Sequence, residues 1–508
     1  MTEDNRKSCG VFGRDDVIRH VNTQMINWHG PTGTVLTVDI QLNSVSGPVR
    51  AATGGADSKV QVWELQEDDE GVGYVQHLSE LSRHDCAVNA VRFHPSDDLL
   101  ATASDDRCLF IWKLESESDI PDIFATSDSL NDGEKQRENR ETWNVVKQLR
   151  GHGSEVYDIA WSPDAKFIVS GTMDNASYVW DINTTRKAAI LQHHKAYVQG
   201  VAWDPSNKYI TTVSSDRSAI VYNTKKYDLV HRISRVKNSL GKVNREDAAS
   251  KNLRMFLDTS MVDTFFRRPG FSPDGKLIAY PCGCHELETE DTGISVGGNP
   301  VSDEQMVQIN VVYIFQHNNL ENPVLCLPTG KSPAIAVRFC PQIFKLRESS
   351  TSLFRLPYRM LYAVATLDNI LLYDTQQRAP FACINSIHYE QLTDIAWSKD
   401  GRYLIVSSID GFCTIVTLDV DNLGQLYREI DASQCRTVTK TGTMKTTTNT
   451  ISNTDSMIIT NTDTITTTAD TVAMATADTV DSVAMDTVDS AANSNTNTIS
   501  EKEELEAC

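Results

Sequence analysis

The chain has 508 residues and a formal net charge of −21, from 47 basic and 68 acidic side chains. That balance argues against a general nucleic-acid binder, which needs a basic face, and fits a basic protein partner. No apolar run approaches the roughly 18 residues of a membrane-crossing helix, and the opening MTEDNRKSCGVFGRDD lacks the apolar centre of a secretory signal.

Residues 1–24 are polar, without clear periodicity, and read as a flexible N-terminal extension. The short apolar run Met25–Trp28 is expected to act as a strand that completes the last sheet of a closed ring. A weak unit follows from Trp28-His29 to Trp63, with Asp57 six residues before the tryptophan, and then the acidic loop Glu64–Glu70. A clearer unit carries His84, Phe93, Asp106 and Trp112, and a polar, acidic loop spans 115–141.

The best-formed unit is Gln148–Ile182. Its alternating runs Val156–Trp161 and Phe167–Ser170 flank the turn Ser162-Pro163-Asp164, which marks two half-buried strands and a tight reversal. His152 precedes Trp161 by 9 residues, Asp174 by 22 and Trp180 by 28. The same offsets recur in the unit around His84, in His194, Trp203, Asp216 and Tyr222, and in His388, Trp397, Asp410 and Val416. Three spacings shared by four unlinked segments identify a structural repeat, and its Gly-His to Trp-Asp frame resembles the WD40 repeat, one blade of a β-propeller.

Two further units are interrupted. One runs through Gly270–Gly275 and Lys276–Tyr280, with its third strand at Ile309–Gln316 beyond an insertion. The other runs through Ala334–Phe339, Tyr358–Thr366 and Ile370–Asp374. The fold class is therefore all-β: a seven-bladed WD40 propeller over residues 25–430, followed by a disordered tail over 431–508. That tail is rich in Thr, Asp, Ser and Asn and has too little apolar surface to offset the entropy of ordering it.

In the repeat, the histidine is expected to meet a Ser or Thr of the second strand, the Asp of the next turn and the Trp of the third. His84, Asp106, Trp112, His152, Asp174, Trp180, His194, Asp216, His388 and Asp410 are accordingly structural, with His152 and Asp174 expected as a pair. With these groups consumed by architecture and no nucleophile motif present, no enzymatic activity is expected. Cys282-Gly-Cys284-His285 lacks a second ligand pair and reads as an ordinary loop, so neither metal nor cofactor is expected. The eleven cysteines are scattered, several in predicted strands (Cys108, Cys383, Cys413), which fits a reducing compartment.

Residues 225–254 reverse the prevailing charge, with nine basic side chains against three acidic ones. Next comes MFLDTSMVDTFFRR (Met255–Arg268), whose apolar residues are expected mostly to reach the fifth blade. Lys237, Lys242, Arg245 and Arg254 in the basic insertion, with Arg267 and Arg268 at the rim of an apolar patch, are the candidate partner-binding residues.

Several stretches outside the repeat frame narrow the family. Glu141-Thr-Trp-Asn-Val-Val through His152, His194 through Pro205, Phe265-Phe-Arg-Arg268, Leu356-Pro-Tyr-Arg359, Leu371-Leu-Tyr-Asp-Thr-Gln-Gln377 and Ile387-His-Tyr389 are the ones in question. Together they resemble the family of the WD40 middle subunit of chromatin assembly factor 1, with the histone-regulator-A chaperones as relatives. The resemblance covers about Ile26–Leu418 and implies a non-catalytic, nuclear scaffold subunit of a complex that deposits histones H3–H4 during DNA replication and repair. It implies the large and small subunits of that complex as partners, with histones held directly or through them, DNA contacted at most indirectly, and no membrane. The tail departs from the family. It offers only Cys435-Arg436-Thr437-Val438 where a basic-hydrophobic motif would engage the anti-silencing histone chaperone, so that partner is doubtful. A replication-independent histone chaperone, or a WD40 substrate receptor of a ubiquitin ligase, remains as the alternative.

Overall fold

Strands form where β-branched and aromatic side chains alternate, because such residues line one face of a pleated chain every second position. In the computed structural model, described over residues 11–428 apart from 14–16, 25, 31–32, 44–46, 116–138, 238–251, 263, 289–305 and 348–351, these strands assemble into seven antiparallel sheets that succeed one another around an axis. The innermost strands are Val35–Ile40, Val88–Phe93, Val156–Trp161, Val198–Trp203, Gly270–Phe271, Ala334–Phe344 and Leu392–Trp397.

Blade three shows how each wedge is built. Val156–Trp161, Phe167–Thr172, Ser177–Asp181 and Arg186–Leu191 pair in sequence, the inner strands buried and the outermost largely exposed. Its first turn closes with Ala165 donating to the Ser162 carbonyl at 2.8 Å, while the Ser162 hydroxyl donates to Asp164 at 2.6 Å.

The apolar core is not central but divided among the seams. Ala101, Ile111 and Trp161, Trp180 join blades two and three; Val169, Val179 and Trp203, Ile220 join three and four; and so on round the circle. The last seam unites Ile40 and Trp63 of blade one with Ile405 and Ile415 of blade seven, so hydrophobic burial itself closes the ring.

Closure through hydrogen bonds is also present, but not where the apolar run suggested. The outer strand of blade seven is Ile18–Gln24, pairing antiparallel with Cys413–Leu418, and not Met25–Trp28. It bridges onward: Asn22 Nδ2 donates to the Gly73 carbonyl at 3.0 Å, and the Val75 amide donates to Gln24 Oε1 at 2.9 Å. Residues 18–24 are thus part of the ring and not a flexible extension. Their buried apolar positions, Ile18 and Val21, are too sparse for strict alternation, whereas Trp28 is a buried anchor of blade one.

Blade six receives both ends of the described chain. Val11–Gly13 adds to Ala382–Asn385 on its outer side, and Leu426–Arg428 pairs with the end of Ala334–Phe344. Between blades four and five, Leu229–Ile233 is the outer strand of blade four, so the basic stretch becomes an insertion only after Ile233. Arg235–Lys237 and Asn252–Arg254 form a two-stranded ribbon at its base. Most of the acidic 115–141 loop and the whole 431–508 tail, including Cys435–Val438, lie outside the described residues.

Candidate functional site

Five blades carry the histidine-centred hydrogen bonds. His29 Nδ1 lies 2.8 Å from Asp57, His84 2.7 Å from Asp106, His194 3.2 Å from Asp216 and His388 3.0 Å from Asp410. The opposite ring nitrogen meets Thr53, Thr102 and Thr212 at 2.7–2.9 Å in the first, second and fourth blades. Trp63 and Trp112 donate to the first two of these threonines at 3.0 and 2.9 Å.

Blade three departs from the expected pairing. His152 Nδ1 lies 3.1 Å from the Arg107 carbonyl, and Nε2 meets Ser170 and Trp180, each at 2.9 Å. Asp174 instead accepts from the Tyr178 hydroxyl at 2.6 Å and from Thr172. The physical reason is Tyr178: its hydroxyl claims the carboxylate that Phe110, at the same register in blade two, leaves to His84. Burial pushes the His152 ring down to about 4, so it is a neutral imidazole at neutral pH.

The arginines expected at a rim are interior. Arg267 and Arg268 are both 0 % exposed, so neither reaches a surface that a partner could touch. Gly200 explains how their segment enters. A Cβ there would lie 2.0 Å from the Arg267 carbonyl oxygen, so only glycine lets the chain cross the inner strand of blade four. Of the other candidates, Arg254 is exposed at the end of the ribbon, Lys237 lies within it, and Lys242 and Arg245 fall outside the described residues. Met255, Phe256 and Phe266 are buried as expected, whereas Met261 and Phe265 are exposed. Cys282-Gly-Cys284-His285 is strand and not loop, part of Leu277–Glu288; the Cys282 thiol donates to the Ala334 carbonyl at 2.8 Å.

Arg268 belongs to a charge network near the axis. Its guanidinium lies 2.5 Å from Asp394 and donates to the Asn89 carbonyl at 2.7 Å. Arg92 bridges Asp394 at 2.9 Å and Asp158 at 3.1 Å, and Arg338 reaches Asp394 at 3.5 Å. Asp158 also accepts the Val201 amide at 3.0 Å, and Asp39 the Phe93 amide at 2.7 Å. Burial alone would raise the Asp394 carboxyl, but Arg268, Arg92 and Arg338 outweigh it and hold the group well below the carboxylate range. Asp39, less well compensated, is pushed up to about 6 by burial.

Arg92, Arg268 and Arg338 thus pair with Asp158 and Asp394 across blades, while Asp39 accepts the Phe93 amide and, among the described residues, joins no ion pair. Such a cluster holds wedges in register. Beside it, a cavity of about 260 Å3 opens at the axis, lined by Asp39, Arg92 and Arg338 and by Phe93, Trp161 and Trp203. Asp39, Arg92, Asp158, Arg338 and Asp394 were missed in the sequence, yet a signal existed. Ala90–Phe93 and Ala336–Phe339 both read AVRF, and Asp158 and Asp394 share a register in the otherwise similar VYDIAW and LTDIAW.

Further polar locks fall in the non-repeat stretches. Arg50 makes three hydrogen bonds of 2.7–3.0 Å to Glu141, tying blade one to blade two. Arg359 pairs with Asp374 at 3.3 Å with both side chains fully buried, and the Tyr358 hydroxyl donates to Asp274 of blade five at 2.6 Å. Comparison with known proteins gives these locks their context: residues 19–423 match the CAF1B/HIR1 beta-propeller domain.

The chain belongs to the CAF1B/HIR1 propeller family.

Within that family it is a homologue of CAF1B, a subunit of chromatin assembly factor 1. It is 37 % identical over 427 residues to the CAF1B proteins of Mus musculus and Gallus gallus, covering 82 % of this chain and 70 % of each relative. Protein HIR1 of Kluyveromyces lactis is more distant, 27 % identical over 412 residues that cover 77 % of this chain and 42 % of the relative. In this CAF1B/HIR1 member, Phe265–Arg268 supplies Arg268 to the axial network, and Leu356–Arg359 supplies Tyr358, which reaches Asp274 of blade five.

Proposed function

We propose that the chain is a non-catalytic scaffold subunit of a nuclear histone chaperone complex that assembles chromatin. The observation that carries this reading is its similarity along the whole propeller to the CAF1B proteins of chromatin assembly factor 1. The physical fit is a closed ring whose blades are bridged at the axis by Arg92, Arg268 and Arg338 on Asp394, leaving rims and loops for docking. Its expected partners are the other subunits of that complex and histones H3–H4, and its finer role is deposition coupled to DNA replication and repair. Arg254, at the exposed end of the blade four to five ribbon, is a candidate contact for an acidic segment of a partner subunit.

Affinity purification of the tagged full-length chain from S-phase nuclei tests the assignment. Recovery of a large and a small subunit together with H3–H4, and supercoiling of replicated plasmid by the purified complex, is the expected outcome. Absence of both subunits and histones removes the reading. The similarity to HIR1 favours one alternative, replication-independent deposition. Exclusion of the tagged protein from replication foci would select it.

A further inference from the structure

The loop from Leu257 to Arg268 is anchored at both ends, by buried Met255 and Phe256 and by buried Phe266, Arg267 and Arg268. Between these anchors Phe265 is left 61 % exposed. It is not loose. Its ring stacks on Tyr157 with centroids 5.9 Å apart and planes 19° apart, and its carbonyl accepts from Gln199 Nε2 at 3.0 Å. Tyr157 also meets Tyr197, with ring centroids 6.2 Å apart, and its hydroxyl lies 3.5 Å from the sulfur of exposed Met173. Exposed Phe265 and Met173 and half-buried Tyr197, seated on buried Tyr157, thus form one cluster where blades three and four and the loop before blade five meet. It lies on the face that carries the histidine turns, since the Met173 amide bonds the Glu155 carbonyl at 3.1 Å just beyond His152.

Two carboxylates, Asp105 and Glu155, act on Tyr157, with the cation of Arg107 near Glu155. Asp105 accepts from Asn89 at 2.6 Å and Glu155 from Ser154, but neither carboxylate is in an ion pair among the described residues. Burial raises the Asp105 carboxyl, and Glu155 and Asp106 add to the effect, so these groups repel one another. Burial first, then Asp105 and Glu155, push the Tyr157 hydroxyl up to about 12, so it remains neutral. A held aromatic face beside unpaired carboxylates attracts a cation that carries an apolar arm.

We propose that Phe265, Tyr157, Tyr197 and Met173, with Asp105 and Glu155, form a docking site for a basic, arginine-bearing peptide segment of a partner protein. An arginine would lay its planar guanidinium on the free face of Phe265 and turn its donors toward Glu155 and Asp105. The carboxylates would repel a nucleic-acid phosphate from the same place. The inference does not depend on which complex the chain joins, because a binding measurement on the purified chain alone decides it.

Fluorescence anisotropy of the full-length chain with a short fluorescein-labelled Arg-Ala-Gly repeat, beside a Glu-Ala-Gly counterpart, supplies the test. The arginine peptide should bind and the glutamate peptide should not. Phe265→Ala should weaken binding by about tenfold or more. Asp105→Asn with Glu155→Gln should do so comparably, and more visibly at low salt. Glu70→Gln, in the exposed acidic loop of blade one, should bind as the wild type does. Unchanged binding by both site variants overturns the proposal. So does an equal loss in Glu70→Gln, which would mean diffuse attraction to an acidic protein. Sedimentation showing self-association that Phe265→Ala abolishes would also overturn it, placing a second copy on this patch.

Discussion

Arg268 and Asp394 meet at 2.5 Å with neither side chain exposed, one from the approach to blade five and the other from blade seven. The ion pair skips blade six altogether, and Arg92 of blade two and Arg338 of blade six converge on the same carboxylate. One side chain thus couples wedges that share no seam.

Asp394→Ala is therefore expected to be among the most damaging single changes in the ring. It leaves buried Arg268 without its nearest counter-charge, which costs on the order of 3–5 kcal/mol. A urea midpoint within error of the wild type would contradict the arrangement.

Asp39 gives the network a pH signature of opposite sign to that of Asp394. Its carboxyl is raised to about 6 from 3.8, so the folded chain binds this proton more tightly than the unfolded one. Its contribution makes stability fall as pH rises between about 4 and 6. Asp39→Asn removes that dependence. Relative to wild type, the variant should gain on the order of 1–3 kcal/mol more at pH 7.5 than at pH 4.5. The same offset in urea titrations at both pH values would refute the assignment.

Blades two and three separate two roles for the turn aspartate. Asp106→Ala removes the partner of buried His84 and should cost about 1–3 kcal/mol. Asp174→Ala should cost less, and its effect should couple with Tyr178→Phe in a double-mutant cycle. Additive behaviour of that pair in thermal melts would mean that the tyrosine does not hold the aspartate.

Deletion of residues 1–24 should abolish the cooperative melt, because it removes the fourth strand of blade seven. Deletion of residues 1–16 spares that strand and removes only Val11–Gly13 at the edge of blade six, so it should shift the melt slightly. Equal melting curves for the two truncations would count against closure by Ile18–Gln24.

The repeat was legible because its chemistry recurs: His and Asp at a fixed offset report the same hydrogen bond in blades two, four and seven. What eluded the sequence was everything that occurs once. Arg267 and Arg268 looked like rim cations because an arginine pair beside phenylalanines commonly snorkels to water. Only the ring brings Asp158 and Asp394, hundreds of positions apart in the chain, to the place where such charges can be buried. Blade three misled for a local reason, since spacing places His152 and Asp174 but cannot reveal that Tyr178 competes for the carboxylate. The closing strand was misplaced because its stability comes from backbone pairing and from Asn22 and Gln24, which no apolar pattern records.

The hydrogen bond between Thr23 and Thr414, at 2.7 Å, joins residues 391 positions apart, which has a bearing on how the protein is born. A ribosome adds on the order of 5–20 residues per second, so the first strand leaves the exit tunnel roughly 20–80 s before its mate is synthesised. Throughout that interval a nascent chain carries an orphan strand and a half-built final wedge, both suited to capture by holdases. A message cut short before the last wedge would yield a product that never shuts, and such products are natural prey for cellular quality control.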